Sequence, residues 1–75
     1  MLLPSEKKDI RDRACAAAEA IAAECLEKNL QPGEIPDVIR ERFKTFDTSE
    51  ASKLFRDTGL KIAEEVEEKL HENMN

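Results

Sequence analysis

The chain has 75 residues, with 12 Lys and Arg against 17 Asp and Glu and a formal net charge of −5. That length excludes a two-domain enzyme and any fold built from several βαβ units of about 30 residues each. No apolar run approaches the roughly 18 residues that cross a bilayer. The opening Met1-Leu2-Leu3-Pro4 has neither the basic nor the apolar region of a signal peptide, so the sequence reads as one soluble, cytoplasmic domain.

Hydrophobic residues make up 40% of the chain, but nine of them are Ala and two are Cys. Nineteen large apolar side chains remain to form a core. Chains of this size are commonly supported by disulfides, metal or oligomerisation. Cys15 and Cys25 lie ten residues apart on what reads as one helix. They are thus about 15 Å apart along its axis, beyond the roughly 7 Å limit for bridged Cα atoms. Both read as buried free thiols. With no covalent or metal support in view, a homodimer is the expected assembly.

The composition is helical: rich in Ala, Glu, Lys, Leu and Arg, with two Gly, three Pro and no Trp or Tyr. It predicts an all-α, three-helix, long-short-long antiparallel bundle. The first helix is expected over about residues 5–29, with Ser5 as its N-cap. Ile10, Ala14, Ala17, Ala18, Ile21, Ala22 and Cys25 share one face at helical spacing, and Leu26 and Leu30 extend an adjoining strip. Seven of the nine Ala lie between Ala14 and Ala23, so another helix can approach closely there.

Gln31-Pro32-Gly33 is the expected break, with Gly33 free to take positive φ. A second helix is predicted over about residues 36–46, with Pro36 at its first position. Its apolar face is Ile35, Val38, Ile39, Phe43 and Phe46, and Arg40, Glu41, Arg42 and Lys44 point away. Asp47-Thr48-Ser49-Glu50 carries capping-box spacing, with Asp47 or Thr48 as the cap, after a connection of about two residues. The third helix is predicted over about residues 49–72, with a stripe of Ala51, Phe55, Gly59, Ile62, Val66 and Leu70 and with Leu54 beside it. Gly59 costs about 1 kcal/mol against Ala in mid-helix. It is either a close-contact point, against the Ala patch of the first helix, or a weak point.

Charge is unevenly spread. Glu64, Glu65, Glu67, Glu68 and Glu72 crowd the end of the third helix against Lys61 and Lys69, while Arg40, Arg42 and Lys44 make a basic stretch on the second. Acidic residues at a helix C-terminus oppose the macrodipole, as do Lys7 and Lys8 at a helix start. Both would be relieved if the start of the first helix met the end of the third, as in a dimer. The plainer reading is a solvated face with spacings such as Glu65 to Lys69. Leu60 falls about 140° round from Phe55, beside Arg56 and Lys53, as a candidate contact residue.

Signatures of chemistry are sparse. Glu68-x-x-His71 has the spacing of a di-metal bundle, but both residues fall opposite the apolar stripe. Nothing places His71 beside either Cys for nucleophilic catalysis. Two glycines make no phosphate loop. The sequence therefore predicts no enzyme, cofactor or metal. The amphipathic faces are mixed or acidic, against membrane-surface binding.

The expected function is a protein-interaction module: an adaptor, regulator or inhibitor, including a phage- or plasmid-type antagonist of a nucleic-acid-binding enzyme. Its surface would be Glu64, Glu65, Glu67, Glu68, Leu60 and Arg56, facing a basic partner. The alternative is a helix-turn-helix-like DNA-binding regulator reading through the third helix with Lys53 and Arg56. The negative net charge opposes that.

Overall fold

The computed structural model describes residues 1–45 and 47–73; the expected contribution of Phe46 to the second helix lies outside them. Among the described residues the fold is all-α. Helix α1 spans Pro4–Glu27, a single 3₁₀ turn spans Pro32–Glu34, helix α2 spans Ile35–Arg42 and helix α3 spans Glu50–Asn73. The three helices pack on one another as a long-short-long bundle measuring 42 × 23 × 18 Å.

Helix α1 starts one residue earlier than expected, and Ser5 is not its cap. Leu3 holds the N-cap position without a side-chain bond, and Pro4 takes the first helical position. Proline's fixed φ suits that position, where its missing N–H has no intrahelical partner to lose. The exit also differs. Asn29, not Gly33, adopts the left-handed conformation, with φ 60°. Leu30 N–H donates to the Cys25 carbonyl at 3.0 Å and Asn29 N–H to the Leu26 carbonyl at 3.1 Å. Together these bonds form a Schellman motif, so α1 closes two residues before the expected end.

The chain then reverses. Glu34 accepts a hydrogen bond from Gln31 N–H at 3.1 Å, closing the turn that leads into α2. Helix α2 runs antiparallel to α3. Its start faces the end of α3, with Pro36, Glu67, Leu70 and His71 around one depression. At its other end, Phe43 lies over Gly59. Helices α1 and α3 run the same way, since the Met1 amine lies 3.9 Å from Glu50.

Helix α2 stops at Arg42, short of the expected residue 46, and seven residues, not two, connect it to α3. Phe43 caps α2 with φ −91° and ψ 0° and turns its ring into the core. Helix α3 is then started by a compact set of bonds. Asp47 accepts from Ser49 N–H at 2.9 Å and from the Ser52 hydroxyl at 2.8 Å, and Ser49 Oγ accepts from Ser52 N–H at 3.3 Å. Ser49, rather than Asp47 or Thr48, therefore occupies the capping position.

The core is small and built from close approach. Ala14, Ala18 and Cys25 of α1 meet Ala63 of α3 and Ile35, Ile39 and Phe43 from the α2 region. Ala63 is fully buried, at 0% exposure, and was not part of the expected stripe. The Ala patch does admit a neighbouring helix closely, but Gly59 serves a different contact. A methyl group added there would lie 2.2 Å from Phe43 Cδ1. Phe43 also packs against Phe55, with ring centroids 5.1 Å apart. Of the two cysteines, Cys25 is buried and Cys15 is exposed, because Cys15 lies off the face that carries Ala14 and Ala18.

Candidate functional site

The topology sorts the charges by end. One end gathers residues 24–42 and 61–72, as the Arg40–Glu67 and Arg42–Glu24 pairs show. These segments hold ten carboxylates and five Lys or Arg, a net of −5. The rest of the chain holds seven of each. The net charge of the chain is thus carried by these two packed segments. It creates a negative potential there that a balanced distribution would not.

The expected contact residues divide within this end. Glu64, Glu65 and Glu68 are exposed, and none of them forms an ion pair among the described residues. Glu65 and Lys69 do not pair despite their spacing. Glu67 is different: it is half-buried and accepts a hydrogen bond from Arg40, which also binds Asp37 at 3.1 Å. Arg40 therefore does not point away from the bundle but ties α2 to α3. Arg42 likewise reaches Glu24 of α1 at 3.5 Å. The basic stretch of α2 is not an opposite pole: Arg40 and Arg42 pair with Glu67 and Glu24 of the acidic segments and neutralise part of them, and Lys44 lies beyond.

Two further expectations change. Leu60 is half-buried and packs against the core, so it does not stand as an isolated apolar side chain. Arg40 of α2 stands beside it, on the flank of the stripe. Arg56 is occupied by its neighbour Asp57, at 3.1 Å. Lys53 is exposed at the start of α3. Glu68 and His71 are both exposed, and no cluster of three or more His, Cys, Asp or Glu suited to a metal occurs among the described residues. The start of α1 does not meet the end of α3 within the chain. Instead the acidic end of α3 lies by the start of α2, where a helix carries partial positive charge.

The paired carboxylates titrate low. The Lys28 ammonium, hydrogen-bonded to Glu24 and reinforced by Arg42, holds the Glu24 carboxyl below its ordinary value. Arg40 does the same for Glu67, and Glu67 in turn raises Arg40. The N–H of Ser49 and the hydroxyl of Ser52 lower Asp47. A carboxyl with a lowered folded-state pKa contributes stability above its unfolded value, and that contribution is lost as pH falls through the folded value. Urea midpoints should therefore hold steady from neutrality down to the ordinary glutamate value of 4.5 and fall below it. Glu67→Gln should flatten that fall; an unchanged pH profile would mean that the Arg40 pair does not hold in solution.

An apolar depression lies on the same end of the molecule. Leu30 and Val38 form its floor, and Glu34, Asp37 and Glu41 stand round it. No described helix is long and apolar enough to cross a membrane. Comparison with models of known families, with characterised proteins and with solved structures gave no match.

Proposed function

We propose that the protein is an interaction module, an adaptor, regulator or inhibitor, that uses its acidic end to engage a basic surface on a partner protein. The observation that carries this reading is that residues 24–42 and 61–72, which pack on one another, carry the whole net charge of −5. Oppositely charged surfaces steer encounter and suppress wrong partners more than they add raw affinity. An antagonist of a nucleic-acid-binding enzyme is one form of such a module, since a basic cleft made for phosphates also attracts a row of carboxylates.

The test uses Glu64→Gln, Glu65→Gln and Glu68→Gln together. Glu67 is left intact, because removing it would strip Arg40 of its partner and confuse folding with binding. A host protein retained by the wild-type chain at moderate salt should be lost to the triple variant, and its retention should weaken as salt rises. Equal retention by both would remove the exposed α3 row from the contact. The DNA-binding alternative predicts a gel shift at low salt. The acidic-end reading predicts none.

A further inference from the structure

The exposed glutamates of α3 supply charge but no apolar anchor, and specific interfaces are held by buried anchors with a charged rim. The depression beside the last turn of α1 supplies both. It is a shallow, open depression of about 460 Å³ between the chain reversal and the outer face of α2. Leu30 and Val38 are only half-buried although both pack against the core, so each keeps part of its apolar surface in water. Leu26, four residues before Leu30, is 62% exposed. A short helix such as α2 leaves this strip uncovered, because nothing in the described chain crosses its outer face.

The rim decides what fits. All three charged residues lining the depression, Glu34, Asp37 and Glu41, are acidic and exposed. Among the described residues, the Glu34 carboxylate accepts a hydrogen bond only from the Gln31 N–H. Asp37 and Glu41 hold Arg40 and Lys44 at 3.1 and 3.0 Å, each three residues away on the surface. Exposed pairs of this kind are weakly held, so an arriving cation can share the carboxylates. Nucleic acid and anionic lipid are repelled by such a rim.

We propose that this depression is a docking groove for a basic amphipathic helix of a partner protein, its apolar face on Leu30 and Val38 and its Lys or Arg side chains on Glu34, Asp37 and Glu41. Such a helix presents anchors at i, i+3 or i+4 with cations beside them, the pattern of helix-in-groove recognition. The proposal rests on the acidic-end reading above and specifies where on that end the partner sits.

The probe is a fluorescein-labelled helical peptide with Leu on one face and Lys on the other, measured by anisotropy against the full chain. A scrambled peptide of equal composition, lacking the apolar face, is its control. The amphipathic peptide should bind at least about tenfold more tightly than the scrambled one, and Glu34→Gln, Asp37→Asn and Glu41→Gln together should weaken it by at least about tenfold. In amide shift mapping, Leu30, Val38 and Glu41 should move and the α3 row should move less. Circular dichroism checks that the triple variant stays helical.

Equal binding of the two peptides would overturn the groove, since charge alone would then explain the affinity. Loss of binding in the α3 triple variant but not in the groove variant would also overturn it, while leaving the acidic-end reading intact. No binding of either peptide would bring down both. A dimer in sedimentation that dissociates on the groove substitutions would show a second copy of the chain as the occupant, and would overturn the proposed partner.

Discussion

Phe43→Ala should cost about 3–5 kcal/mol, the usual loss when a buried aromatic ring is truncated. Phe43 is 3% exposed, lies over Gly59 and packs on Phe55. A 75-residue domain is expected to have about 4–11 kcal/mol of stability in total. The variant should therefore lose a large share of its stability and unfold at a much lower urea concentration than the wild type. The size of the effect follows from how little else the core contains. The other buried hydrophobics are Ala, Cys and Ile, and the neighbouring ring of Phe55 is only half-buried. Phe43→Leu keeps much of the volume and should lose less. Urea unfolding followed by circular dichroism separates the two. A loss below about 1 kcal/mol for Phe43→Ala would mean that the ring does not close the bundle.

The second large effect is expected at Gly59. Replacing a mid-helix Gly with Ala normally gains about 1 kcal/mol. Here the added methyl would lie 2.2–2.4 Å from three ring carbons of Phe43. Those carbons belong to a rigid ring packed on another ring, so relief requires the helices to separate or the ring to leave its seat. Overpacking of this kind costs about 1–3 kcal/mol, enough to reverse the helix gain, and Gly59→Val should be worse than Gly59→Ala. The decisive measurement is a double-mutant cycle in Phe43→Leu. A branched aliphatic side chain can turn away from the new methyl, so much of the penalty should vanish, leaving a coupling of about 1–3 kcal/mol. If Gly59→Ala raises the stability of the wild-type chain, the close seat of Phe43 on α3 is wrong.

These two residues also show where local signals stop. The stripe on the third helix placed Gly59 on the buried face correctly, because period 3.6 is a property of the chain alone. It suggested the Ala patch of α1 as the neighbour. The neighbour is Phe43, set by the turn that ends α2 and by the seven-residue connection that follows. Ala63 was missed for a related reason. An Ala carries little hydrophobic weight in a pattern, and only the approach of α1 and α2 makes its position fully enclosed. Cys15 and Cys25 look alike in the sequence, yet one faces solvent and the other the core.

The candidate surface was legible in part. Exposure of Glu64, Glu65 and Glu68 follows from the helical wheel, since each lies away from the stripe. Glu67 is only one step round the wheel from Glu68, but its guanidinium partner is 27 residues earlier in the chain. No local pattern reports a pairing at that separation. The groove was not legible. Leu30 and Val38 fall in different elements, and their common exposure results from where α2 stops and what it leaves uncovered.

The sequence by itself determined that this chain is all-helical, and very nearly where its helices lie. Those features depend on backbone propensity, caps and apolar spacing within a few residues. The tertiary structure decided which small residues become contact points, which charges are spent on holding α2 in place, and which remain free. It also decided that the two segments carrying the net charge meet. That outcome depends on folding residues 24–42 against residues 61–72, and interactions between such distant segments are fixed only when the helices pack.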